Sequence, residues 1–180
     1  DSAKDLATDL NFKSKIVPYG NYKSKIRVHT GFITAYKNSE MRDKIFGMIN
    51  RDIKNIYITG HSFGGALALL CAVDFQYHDN TRNIEVVVFG CPRVGNRAFA
   101  VSYNKRVPNT MRVENGNDLV TKLPFKILGF RHVKKCFRIG KPRLFGVYCL
   151  NDHSLNEYFK NLVGNKPIRL CLHLREAAES

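Results

Sequence analysis

Apolar and polar positions change their spacing several times along the chain, and each change marks an element. The runs "NIYITG" (55–60) and "NIEVVVFG" (83–90) are short, apolar and rich in β-branched residues, as buried strands are. "TMRVEN" (110–115) reads as a third strand, ending in "GND". Between them, "GGALALLCAVDF" (64–75) and "NRAFAVSYNKRV" (96–107) read as helices. "SEMRDKIFGMINRDI" (39–53) places Met41, Ile45, Met48, Ile49 and Ile53 near one helical face, after a Ser39 cap. "KIRVHTGFITAY" (25–36) alternates into a turn at Gly31. "GFRHVKKCFRIGK" (129–141) and "RLFGVYCL" (143–150) read as a polar, basic hairpin. "DHSLNEYFKNLV" (152–163) opens a last helix, and the opening "DSAKDLATDLNF" (1–12) is mildly amphipathic.

Strands alternating with helices at this spacing predict an α/β fold, a mostly parallel sheet with helices on both faces. The 180 residues suit one domain with a real core. In such a sheet, chemistry gathers at the carboxyl ends of the strands. "NIYIT" runs directly into His61-Ser62, and "TMRVEN" ends just before Asp118, so both meet at one rim.

Gly60, Ser62 and Gly64 fit Gly-x-Ser-x-Gly, a pattern matched by chance in roughly one chain in twenty of this length. The setting adds what the pattern lacks. A strand before Ser62 and a helix after it make a nucleophile elbow, which lifts the hydroxyl clear and puts a helix amino end beneath it. Glycines two before and two after Ser62 are expected to remove side chains that would collide across the turn.

A serine nucleophile needs a base, and the base needs a carboxylate to hold its tautomer. Asp118, in a Gly116-Asn117 loop after a strand, is the expected carboxylate. His153, in a loop entering a helix, is the expected base. His132 is the rival base, but it lies in an alternating basic segment whose geometry would fix its ring on a sheet face. His61 is expected to pack under the turn. Asp74 lies inside the elbow helix and points away from the rim, while His78 and His173 have no comparable setting.

Lys and Arg number 29 against 15 Asp and Glu, a formal net charge of +14. Such a balance suits nucleic acid, an anionic membrane or plain solubility. Eight cations and no acid fall between Leu119 and Asn151. Few aromatics accompany them in positions for base stacking, and no nucleic-acid motif is present, so nucleic acid is not expected. Lys134, Lys135, Arg138 and Lys141 are the expected contacts to an anionic membrane surface. The five cysteines (71, 91, 136, 149 and 171) show no metal-ligand spacing and favour a reducing compartment. No apolar run approaches the roughly 18 residues of a membrane span. A chain opening on Asp1, with its first methionine at Met41 and no secretory signal, reads as a processed product or a piece of something longer.

Six stretches taken in order carry a resemblance that the serine pattern alone does not. They are "VHTGF" (28–32), "ITGHSFGGALA" (58–68), "VVFGCPRVGNRAFA" (87–100), "RVENGNDLVTKLP" (112–124), "LGFRHV" (128–133) and "DHSL" (152–155). With them the chain resembles the fungal-type, or class 3, triacylglycerol lipases of the α/β-hydrolase superfamily. The resemblance implies one class 3 lipase-like domain over 1–180, hydrolysing lipid esters with a triad of Ser62, Asp118 and His153. The amide of Phe63 would donate to the oxyanion, and no metal or organic cofactor is needed. It also implies that residues 2–10, with Ala3, Leu6, Ala7 and Leu10, form the lid over the acyl groove. The family's first strands and its second oxyanion donor, a Ser or Thr in a Gly-rich turn, would precede Asp1. The rival expectation is a non-catalytic, basic, lipase-like module that binds anionic membranes.

Overall fold

The computed structural model describes residues 14–16, 23–38, 40–50, 52–142 and 147–164. In chain order the elements are β1 (Ser14–Ile16), β2 (Arg27–His29), α1 (Thr30–Asn38), α2 (Met41–Met48) and β3 (Asn55–His61). Then follow α3 (Phe63–His78), β4 (Asn83–Phe89), β5 (Gly95–Asn96), α4 (Arg97–Arg106) and β6 (Thr110–Asn115). The last are β7 (Phe130–Arg131), β8 (Cys136–Ile139) and α5 (Leu155–Gly164). Strands β3-β4-β6-β8 form one sheet in that order, every neighbouring pair parallel. Strands β1-β2-β5-β7 form a second, antiparallel sheet.

The pleat of β4 sorts its side chains between two cores. Ile84, Val86 and Val88 face α3 and α4, while Val87 and Phe89 join Val113, Ile139, Tyr158 and Leu162 on the α5 side. The expected α/β-hydrolase-type parallel sheet, with helices on both faces, is therefore present. Helix α3 is apolar nearly all round because it is enclosed by β3, β4, α1 and α4. Its one buried acid, Asp74, accepts from Tyr36 Oη (2.8 Å) and Arg42 Nε (2.7 Å). Twelve residues along the helix from Ser62, Asp74 stands roughly 18 Å from the rim.

Several expectations are corrected. The basic stretch from Gly129 to Lys141 is not half of a hairpin. Its strand β7 joins the small sheet through β5, whereas β8 extends the parallel sheet through β6. Period-two patterning makes a strand but does not choose its partner. Gly31 sits within the first turn of α1, not in a loop. Helix α2 buries none of its residues fully, and Met48 is 74% exposed, so its apolar face is weaker than the pattern suggests. Strand β3 is the outer strand of the sheet among the described residues, with Tyr57 61% exposed. The lid at 2–10, Ser39, Arg143, Cys171 and His173 lie outside the described residues.

Candidate active site

Ser62 lies between β3 and α3 with φ 56° and ψ −125°, a backbone that non-glycine residues rarely adopt. The strain is held from both sides: the Ser62 amide donates to Phe89 O (2.9 Å), and its carbonyl accepts from Gly65 N (3.0 Å). A Cβ on Gly60 would lie 2.6 Å from the Gly64 carbonyl carbon, so Gly60 is required by space. At Gly64 a Cβ would meet nothing within 4 Å, which corrects the expectation that both glycines relieve a collision. Phe63 is the first residue of α3, so its amide is among those with no acceptor inside the helix.

The rim of the parallel sheet brings the three sequence-selected residues together. His153 Nε2 lies 2.7 Å from Ser62 Oγ, and His153 Nδ1 lies 2.9 Å from Asp118 Oδ2. A carboxylate can only accept, so Nδ1 carries the proton and Nε2 is left to accept from the serine hydroxyl. Asp118 Oδ1 accepts from Val120 N (2.8 Å), and Oδ2 also accepts from Tyr158 Oη (2.7 Å). Asp118 and His153 are 1% and 4% exposed, so these charge-assisted bonds form away from water.

Four groups support this arrangement, and of these only His61, expected under the turn, is named from the sequence. Tyr158, on the first turn of α5, accepts from the Asn115 amide (3.1 Å) and donates its hydroxyl hydrogen bond to Asp118. Burial first, and then the adjacent Asp118 carboxylate, push its phenol well above the usual range, so it stays a donor. Gly90, with φ +57°, ends β4 beneath the triad; a Cβ there would lie 2.9 Å from His153 Cε1 and 3.0 Å from Asp118 Oδ2. Asp152 fastens the His153 segment to the end of β6, accepting from Asn117 N (2.9 Å) on Oδ2 and from Asn115 Nδ2 (2.9 Å) on its carbonyl. His61 stacks on His153 with ring centroids 4.6 Å apart and donates from Nε2 to the His153 carbonyl (2.9 Å). Burial, and then His153 itself, lower the His61 pKa and keep its ring neutral. For the other three, only the glycine closing "VVVFG" and the spacing of Tyr158 five residues after His153 were visible signals.

His132 stands apart. Its Nε2 donates to Thr121 O (2.7 Å), and it lies 3.8 Å from Glu114 Oε1, with no contact to Ser62. Burial and the field of Arg112 lower its pKa to about 3. Among the predicted membrane contacts, Lys134, Lys135 and Arg138 line one groove of about 790 Å³ beside β8, whereas Lys141 is exposed outside that lining.

The class 3 lipase family model matches residues 1–128. A lipase of Caenorhabditis elegans is 49% identical over 73 residues, which are 39% of this chain and 20% of that protein. The lipase of Rhizomucor miehei is 33% identical over 150 residues, 78% of this chain and 40% of that enzyme. A solved triacylglycerol lipase, whose catalytic centre is described as a serine protease triad, superposes with a TM-score of 0.69. It is 27% identical, over 83% of this chain and 65% of that one. The chain thus spans less than half the length of the two curated relatives. With the matched model covering well over half of its residues, the chain belongs to the class 3 lipase family.

Proposed function

We propose that residues 1–180 form a single catalytic domain that hydrolyses carboxylic esters of lipids through a serine acyl-enzyme. Ser62 passes its proton to His153 Nε2 as Oγ attacks the ester carbonyl carbon. The carbonyl oxygen takes the electron pair and is met by the Phe63 amide at the amino end of α3. The tetrahedral intermediate collapses, the bond to the alcohol oxygen breaks, and His153 returns the proton to that oxygen. A water molecule, deprotonated by His153, then cleaves the Ser62 ester and releases the fatty acid. Asp118 holds the imidazole in the required tautomer and balances its charge at each transfer.

The observation that carries this reading is the continuous 2.7 and 2.9 Å relay from Ser62 through His153 to Asp118, at a strained serine. The triad described for the similar triacylglycerol lipase supports it. A fluorophosphonate reagent should label the protein at Ser62 and should leave Ser62→Ala unlabelled. The same variant should retain the fold and lose hydrolysis of a p-nitrophenyl ester. Activity above a few per cent in Ser62→Ala would sink the assignment.

A further inference from the structure

Residues 125–129 are all exposed and include three large apolar side chains. Ile127 is 92% exposed, and Phe125 and Leu128 are each 49% exposed. They stand on a single 3-10 turn, Lys126–Leu128, closed by Leu128 N to Phe125 O (3.0 Å) and Gly129 N to Lys126 O (3.0 Å). Arg131 braces the turn by donating to Lys126 O (2.8 Å). The tip is thus built to hold apolar groups outward, and in water it gains nothing by doing so.

Directly behind the tip, sharing Phe125 and Lys126 with it, lies the 790 Å³ groove. Eight Lys or Arg side chains line it against one carboxylate, Glu114. That carboxylate is paired directly with Arg112 (2.9 Å) and Lys122 (2.9 Å), so one acid faces eight cations. Arg93, 5% exposed in the groove wall, keeps Nε without an acceptor among the described residues. A concave cationic surface next to a protruding apolar tip is complementary to one kind of partner, an anionic layer with hydrocarbon beneath it.

We propose that this face docks on a membrane carrying net-anionic phospholipid headgroups. Phe125, Ile127 and Leu128 enter the acyl region, while Lys126, Arg131, Lys134, Lys135 and Arg138 hold the phosphates. The apolar tip begins seven residues after Asp118 in the chain. The inference deepens the lipid-ester reading by naming the surface on which that substrate is met, yet it is testable without turnover. Free phosphate would engage the cations but leave the apolar tip in water. RNA would find only Phe125 and Tyr148 as aromatic faces in the groove.

The chain contains no tryptophan, so Ile127→Trp supplies a single fluorescent reporter at the tip. It is read in a Ser62→Ala background to exclude lipid hydrolysis. Phosphatidylcholine vesicles containing phosphatidylserine should shift its emission to the blue, and binding should exceed that to pure phosphatidylcholine by at least about tenfold at low salt. This follows because each engaged cation raises partitioning roughly fivefold. The preference should fade as salt screens the charges. Replacing Lys126, Lys135 and Arg138 with Gln should abolish the preference, and Leu128→Ser in the same reporter chain should weaken binding to both vesicles about tenfold. With Ser62 restored, both changes should leave hydrolysis of a soluble short-chain ester unaltered, so loss of docking and loss of catalysis are read separately. Equal binding to both vesicles would overturn the proposal, as would no blue shift. A shift produced by inorganic phosphate alone or by single-stranded RNA would overturn it too.

Discussion

Glu114 and Asp118 stand four residues apart, one near the end of β6 and one just past it. Both are buried, and each has a histidine within 4 Å. The partners of Asp118 are His153 Nδ1, Tyr158 Oη and the Val120 amide. The carboxylate is turned to one imidazole, whose other nitrogen meets a hydroxyl. Glu114 is held instead by the permanent cations Arg112 and Lys122. Its histidine, His132, spends Nε2 on a backbone carbonyl. A buried acid beside a histidine is therefore no sign of acid–base chemistry by itself. What matters is whether the carboxylate is already neutralised and what the far nitrogen faces.

The sharpest way to break this contrast is to remove each histidine in turn. His153→Ala should lower turnover by three or more orders of magnitude, because the base for both half-reactions is lost. His132→Ala should leave turnover within a few fold and lower the thermal midpoint, since the Thr121 carbonyl loses its donor. Comparable losses from the two variants on one soluble ester would erase the distinction.

A smaller effect tests how Asp118 is held. Tyr158→Phe removes one of its three donors and leaves the ring in the core. Turnover should fall about tenfold, or ~1.4 kcal/mol, with KM unchanged. A change in thermal midpoint alone, without loss of kcat, would reduce Tyr158 to packing.

The test of Glu114 leaves turnover aside and is read in stability. Burial opposes its ionisation, but Lys122 and then Arg112 prevail and lower its pKa from 4.5 to about 2. A folded-state pKa below the unfolded one means stabilisation that is present above about pH 4.5 and fades as the pH falls through about 2. Its size is on the order of 3 kcal/mol. Denaturant midpoints measured across that window should slope for the wild type and slope less steeply for Glu114→Gln, in which Asp79 still titrates.

Local pattern carried further at the elbow than along the basic segment. "NIYIT", Ser62 and the Ala/Leu run are contiguous, so strand, turn and helix are written side by side, and β6 coincides with "TMRVEN". Along 129–141 the alternation marked strands, yet β7 and β8 joined different sheets, because partners are chosen by long-range packing. The same limit explains Gly64, which satisfies the pattern without meeting a steric need, while Gly90, read only as the close of a strand run, leaves no room for a Cβ beside the His153 ring.

Chain order and local turn chemistry determined the α/β class, the elbow at Ser62 and the choice of Asp118 and His153. Each is a consequence of residues close in sequence: a strand's end, a glycine-bearing turn, a helix's first turn. The tertiary structure alone showed that Tyr158 donates to Asp118, that Asp152 ties the His153 segment to the end of β6, and that Glu114 is held by Arg112 and Lys122. It also joined the Phe125–Leu128 tip to the cationic groove beside β8. Those relations, and the bond from His61 to the His153 carbonyl, depend on distances between segments up to 92 residues apart, which the packing of the whole sheet sets and no local period encodes.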